Sequence, residues 1–184
     1  MRTLTLSGVL LGILLLIVGG VRIGAADDQP IHVTPLTRDG QVLVSFDVNG
    51  MVDGELEQAI QSGLPTTFTY DIDLRRAAAM WFDQNLGSVQ VGATVRYDNL
   101  TRRYSVSLTQ DGRVLDTRPT DKADDVRQIV SSFYRLPLFS TRQLQANTEY
   151  YVRVHGRTRP RRTWGLLPWD PPSAFGSAKF TFLR

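Results

Sequence analysis

The chain has 184 residues, 42% hydrophobic and 21% charged, which is enough apolar material for a packed domain and excludes a disordered, highly charged tail. It contains no cysteine, so a disulfide framework and a lipid-modified cysteine anchor are both excluded. The formal net charge of +3 reflects arginine usage, Lys122 and Lys179 being the only lysines, and is too small to mark a nucleic-acid binder.

The N-terminus reads as a targeting segment. Met1-Arg2 gives a positive start, residues 4–21 carry no charge, and small residues at Gly24-Ala25-Ala26 precede Asp27-Asp28. That order is what a secretory signal requires, with cleavage expected after Ala26. The competing reading is a retained anchor, because an uncharged run of this length lies at the lower edge of what spans a bilayer. In either case Arg2 before the run places the following domain outside the cytoplasm. Residues 1–26 are therefore expected to be a signal peptide or membrane anchor, and 27–184 a single domain, in the periplasm or on the periplasmic face of the inner membrane. Losing Arg2 and Arg22 leaves 19 basic and 18 acidic residues, close to neutrality.

From there the pattern is mostly period-2 alternation, the mark of strands with one buried face. It runs through 41–48 (Val42, Val44, Phe46, Val48), 66–74 (Phe68, Tyr70, Ile72, Leu74), 89–97 (Val89, Val91, Ala93, Val95, Tyr97), 103–109 (Tyr104, Val106, Leu108), 149–155 (Tyr150, Val152, Val154) and 178–184 (Phe180, Phe182). Weaker strands are expected at 31–36, 79–82 and 113–116. Asp39-Gly40 and Asp111-Gly112 supply the positive φ angles of tight hairpin turns, and 98–101 reads as a longer turn. Helical spacing appears twice. Asp53 can cap a helix over 54–62 that Gly63 ends and Pro65 forbids to continue. A second helix is expected from Thr120 or Asp121 to about Tyr134, with Val126, Ile129, Val130 and Phe133 on one stripe and Pro137 marking its end. The sum is an all-β domain, an antiparallel β-sandwich of about eight or nine strands with two short helices.

Residue types that carry catalysis are sparse. Only His32 and His155 can serve as imidazole bases, and neither lies in a nucleophile motif. Asp71 and Asp73 share a strand face about 7 Å apart, a spacing that can hold calcium, but Arg75 and Arg76 are near enough to neutralise them. Asp121, Asp124 and Asp125 read as helix N-terminal charge. No catalytic, cofactor or metal residues are therefore assigned, and the domain is expected not to be an enzyme.

Residues 153–176 stand out. Arg153, Arg157, Arg159, Arg161 and Arg162 precede Trp164, Leu166, Leu167, Trp169 and a Pro171-Pro172 pair. A long loop of this composition suits a bilayer interface or a protein interface, where Trp and Arg are frequent anchors. The alternative is that Trp164 and Trp169 fold back as a lid over the open end of the sandwich. The candidate contact residues are Arg157, Arg159, Arg161, Arg162, Trp164, Leu166, Leu167 and Trp169. Their partner is expected to be an envelope protein or the membrane surface, and not nucleic acid. Two further readings stay open: a carrier of a small hydrophobic ligand lined by Phe68, Tyr70, Tyr97 and Phe133, and a hydrolase.

Two motifs resemble an uncharacterised bacterial family, the domain of unknown function 4390. One is the helix-then-strand passage Gly54-Glu55-Leu56-Glu57-Gln58-Ala59-Ile60-Gln61-Ser62-Gly63-Leu64-Pro65-Thr66-Thr67-Phe68. The other is the step Tyr97-Asp98-Asn99-Leu100-Thr101-Arg102-Arg103-Tyr104 between two strands. The resemblance is expected to extend over most of 31–184, with a richer Arg/Trp/Pro segment here than in the family. It implies an exported bacterial protein, sometimes encoded near sensor-kinase systems, and supplies no activity.

Overall fold

The computed structural model describes residues 30–50, 52, 54–77, 83–160 and 173–183. Among them are nine strands and two α-helices: β1 (Ile31–Arg38), β2 (Gln41–Val48), α1 (Gly54–Gln61), β3 (Thr66–Arg76), β4 (Gln84–Asp98), β5 (Arg103–Gln110), β6 (Arg113–Thr120), α2 (Ala123–Ser131), β7 (Ser132–Ser140), β8 (Thr148–Pro160) and β9 (Ser173–Phe182). The strands form two antiparallel sheets, a three-stranded one in the order β1-β2-β7 and a six-stranded one in the order β6-β5-β4-β3-β8-β9. The architecture is the expected β-sandwich.

Alternation explains which side chains fill the space between the sheets. Val42, Val44 and Phe46 from β2, Phe68, Tyr70, Ile72 and Leu74 from β3, and Val152 and Val154 from β8 are all fully buried. Burying side chains of this size contributes about 1.5–3 kcal/mol each, so the two sheets are held chiefly by this layer. At its centre the rings of Phe46, Tyr70 and Phe133 meet with centroids 4.6–5.2 Å apart. The buried Tyr70 hydroxyl donates to the Val130 carbonyl at the end of α2, and burial drives its phenol well above the usual range.

The turns follow the sequence closely. Asp39-Gly40 and Asp111-Gly112 take positive φ at both positions, as a two-residue hairpin between right-twisted strands demands. Asp98 Oδ1 accepts from the backbone N–H groups of Leu100 and Thr101, at 2.8 and 3.3 Å, which folds the β4–β5 turn. Gly63, at φ +84°, ends α1 as expected. The Asp53 cap and the weak strand expected at 79–82 fall outside the described residues.

The second helix is shorter than its apolar stripe implied. It stops at Ser131, and the chain enters β7 with no intervening loop, Ser132 already having extended dihedrals. Phe133 is thus a strand residue, buried across from Phe46, and not part of the helical face. Pro137 lies inside β7. It is tolerated because β7 is an edge strand, where a missing N–H breaks no ladder on the open side. Asp121 precedes the helix, while Asp124 and Asp125 occupy its first turn.

Gly176 is where the two sheets meet at one corner. β1 passes over β9 so closely that a Cβ on Gly176 would lie 2.0 Å from the Ile31 carbonyl oxygen. Only glycine allows two backbones to approach in this way.

Candidate interaction surface

Both flanks of the segment expected to be one long loop are paired strand. β8 continues to Pro160 and β9 begins at Ser173, so residues 153–160 and 173–176 are strand. Sequence reading missed this because the inward positions beyond Val154 are Gly156 and Thr158, small residues that are nevertheless buried. Of the candidate contact residues, Arg157 and Arg159 lie on β8. Arg161, Arg162, Trp164, Leu166, Leu167 and Trp169 belong to the connection 161–172, outside the described residues, as does the question of a tryptophan lid.

The base of this hairpin is laced to its neighbours on the outer face of the large sheet. In the register, His155 lies opposite Asp71 and Arg153 opposite Asp73. Arg157 reaches diagonally to pair with Asp71, which also accepts from Gln90 Nε2 at 2.9 Å. Asp73 takes Arg153 at 2.8 Å and Ser88 Oγ at 2.7 Å, with Arg75 at 3.4 Å. Partial burial pushes the Asp73 carboxyl upward, but the Ser88 hydroxyl and the Arg153 and Arg75 guanidinium groups outweigh it, and the net shift is downward. Arg76, expected to help neutralise this pair, turns instead to Gln84 and Gln145. The two carboxylates are therefore engaged by arginine and side-chain donors from both adjacent strands. Among the described residues there is no group of three or more His, Asp or Glu side chains placed to hold a metal ion.

The histidines lie on exposed sheet faces. Opposite His32 is Asp47, which accepts from Ser132 Oγ at 2.6 Å. That serine donates to a carboxylate rather than to an imidazole, so the row is not the relay in which histidine takes the nucleophile's proton. His155 faces Asp71 on one side and the half-exposed Phe175 on the other. Of the residues named as lining a ligand cavity, Tyr70 and Phe133 meet in the central aromatic cluster, Phe68 is fully buried, and Tyr97 packs against Tyr104 with ring centroids 4.6 Å apart.

Topology brings several other features to the end of the sandwich where the 161–172 connection emerges. Pro160 pairs with Thr66, and Thr66 with Val95, so the β4–β5 turn and the start of β3 share that end. α1 closes it from the side, and Arg127 of α2 binds Glu57 of α1 at 2.5 Å. Leu100, 96% exposed, stands at the tip of the turn, and Leu64 is partly exposed beside it. Sequence reading did not single out these residues, because a leucine in a turn carries no signal until its neighbours are known.

A model of the family described as Domain of unknown function (DUF4390) matches residues 29–161. The chain belongs to this family. Both sequence motifs that resembled it lie inside the match, the first spanning α1 into β3 and the second the β4–β5 turn. The DUF4390 match covers most of 31–184, as expected, and ends just after β8, leaving the tryptophan-bearing connection and β9 beyond it. Comparison with curated proteins finds no match, and comparison with solved structures finds none either.

Proposed function

We propose that this chain is an exported, non-catalytic binding module of the bacterial cell envelope, which engages an envelope protein or the membrane surface through the tip of the β8–β9 hairpin. One observation carries the reading: a segment containing Arg161, Arg162, Trp164, Leu166, Leu167 and Trp169 joins two paired strands of the large sheet, the first of them ion-paired to β3 through Arg153 and Arg157. A rigid base limits the ordering cost of presenting a binding segment. Tryptophan and arginine are the residues that most often dominate interface energetics. The apolar run at residues 4–21, with small residues before Asp27, supports export.

The test is to replace Trp164 and Trp169 together with alanine. Binding to isolated envelope fractions should fall at least about thirtyfold, in keeping with losses of about 1–2 kcal/mol for each of the two anchors, with the melting temperature unchanged. A large fall in melting temperature with binding intact would show that the tryptophans are a lid, and the proposal would be abandoned.

A further inference from the structure

Residue 30, the first described, lies beside the point where β2 leads toward α1. Pro30 accepts a hydrogen bond from Asn49 N at 2.9 Å, and Asn49 leads within a few residues into α1. α1 ends at Gly63, where a Cβ would lie 2.9 Å from Asn99 Nδ2, so the α1–β3 connection touches the β4–β5 turn. Leu64 and Leu100, both exposed, are the residues that follow Gly63 and Asn99 in the chain. Around them are the exposed Arg96, Arg102 and Arg103, none of which has a carboxylate partner among the described residues. Opposite Arg103 in the register is Asp98, whose carboxylate accepts from the backbone of the turn.

We infer that the β4–β5-turn end of the sandwich seats on an anionic bilayer surface, with Leu64 and Leu100 at headgroup depth and Arg96, Arg102 and Arg103 against lipid phosphates. A lipid surface is favoured over a protein partner by where the chain enters. The uncharged run stops at residue 21, and the eight residues 22–29 span at most roughly 30 Å when extended. Until cleavage after Ala26, or where the run is retained as an anchor, a run held in the bilayer keeps Pro30 within that distance of the headgroups. Three exposed arginines without a carboxylate partner among the described residues, together with two exposed leucines, match the negative potential and the apolar boundary found there. The inference rests on the reading above, that this is the binding end, and adds the chemistry of what it binds.

Because the chain lacks cysteine, a single one introduced as Leu100→Cys takes an environment-sensitive fluorophore without competition. A second variant, Leu115→Cys, places the probe on the exposed edge strand β6, beside Leu108 and Thr109 and away from the β4–β5 turn. The full-length protein is then mixed with vesicles of phosphatidylcholine alone or of phosphatidylcholine with phosphatidylglycerol. The probe at 100 should shift to the blue on the anionic vesicles only, and the probe at 115 on neither. Adding Arg102→Asn and Arg103→Gln should reduce the seated fraction relative to the unseated about thirtyfold, at roughly 1 kcal/mol per arginine, and abolish the shift. Asparagine is chosen because Arg102 has φ +54°. A probe at 100 that stays in water while the protein still co-sediments overturns this inference and leaves the hairpin reading standing. Equal shifts at 100 and 115, or on both vesicle types, overturn it in the same way. No co-sedimentation with either vesicle overturns it too, and the Trp164/Trp169 variant on envelope fractions then decides the hairpin reading separately.

Discussion

Replacing Gly176 with alanine adds one methyl group to β9 at the point where β1 crosses it. The new Cβ would lie 2.0 Å from the Ile31 carbonyl oxygen and 2.8 Å from both its carbonyl carbon and its Cβ. Carbon contacts become favourable only near 3.5 Å, so β1 must withdraw by more than about 1 Å. Ordinary overpacking costs about 1–3 kcal/mol. Here the obstructing atoms belong to the backbone of a hydrogen-bonded strand and cannot rotate away, so the cost should be near 3 kcal/mol. For a domain of this size that lowers the melting temperature by roughly 6–12 °C. Gly92 is the internal control. Its Cβ would meet Thr109 Oγ1 at 2.5 Å, a side-chain atom that can turn aside, and the nearest backbone atom is 3.8 Å away. Gly92→Ala should cost less than about 1 kcal/mol. Urea denaturation of the three proteins measures both differences. A Gly176→Ala variant within about 0.5 kcal/mol of wild type, or no worse than Gly92→Ala, would refute the view that this crossing joins the sheets.

Other consequences are as readily checked. Tyr70→Phe removes the donor to the Val130 carbonyl in a buried site and should destabilise by about 1–2 kcal/mol in the same assay. Because burial raises the Tyr70 phenol, its contribution is fully present below the unfolded value near pH 10 and is lost as pH rises beyond it, so native stability should fall there. The Phe variant should lack that component, and identical alkaline profiles would show that Tyr70 does not contribute. Asp73 has the opposite sign: its lowered carboxyl stabilises above the unfolded value near pH 4, and the contribution disappears as pH falls. Asp73→Asn should therefore flatten the acid limb of a stability–pH curve, and an unchanged limb would exclude the Asp73 network as its source. Thr158 buries a hydroxyl with no partner among the described residues, so Thr158→Val should be neutral or stabilise by up to about 1 kcal/mol. A loss of more than 1 kcal/mol on denaturation would reveal a partner for it.

What could be read in the sequence depended on whether one face of a segment had to be apolar. Residues 41–48 and 66–74 alternate cleanly because both bury every second side chain between the sheets, and they emerge as β2 and β3. β7 was hidden for a physical reason. It begins at the residue directly after a helix, its register with β2 shifts twice, and Arg135 sits at φ +50°, so Phe133, Leu136, Leu138 and Phe139 lose the period of two. β9 was legible only at its end, where Phe180 and Phe182 alternate. Its earlier inward positions are Ala174, Gly176 and Ala178, kept small where β1 lies across the sheet. The candidate site was half visible. The tryptophans and arginines of 161–172 are conspicuous as a string of letters, whereas Arg96, Leu64, Leu100 and Arg103 are unremarkable until pairing brings distant residues to one end. The ion-pair lattice under the hairpin was missed in the same way, since Asp71 and Asp73 find Arg157 and Arg153 across strands more than 75 residues apart.

Site-specific photocrosslinking in intact cells tests the central claim most directly. A photoreactive residue at position 166, between the two tryptophans, is compared with one at position 115 on β6. Adducts with an envelope protein or lipid from 166, and none from 115, are the expected result. Adducts from 115 alone, or equally from both, would contradict the assignment of the binding surface to the β8–β9 end of the sandwich.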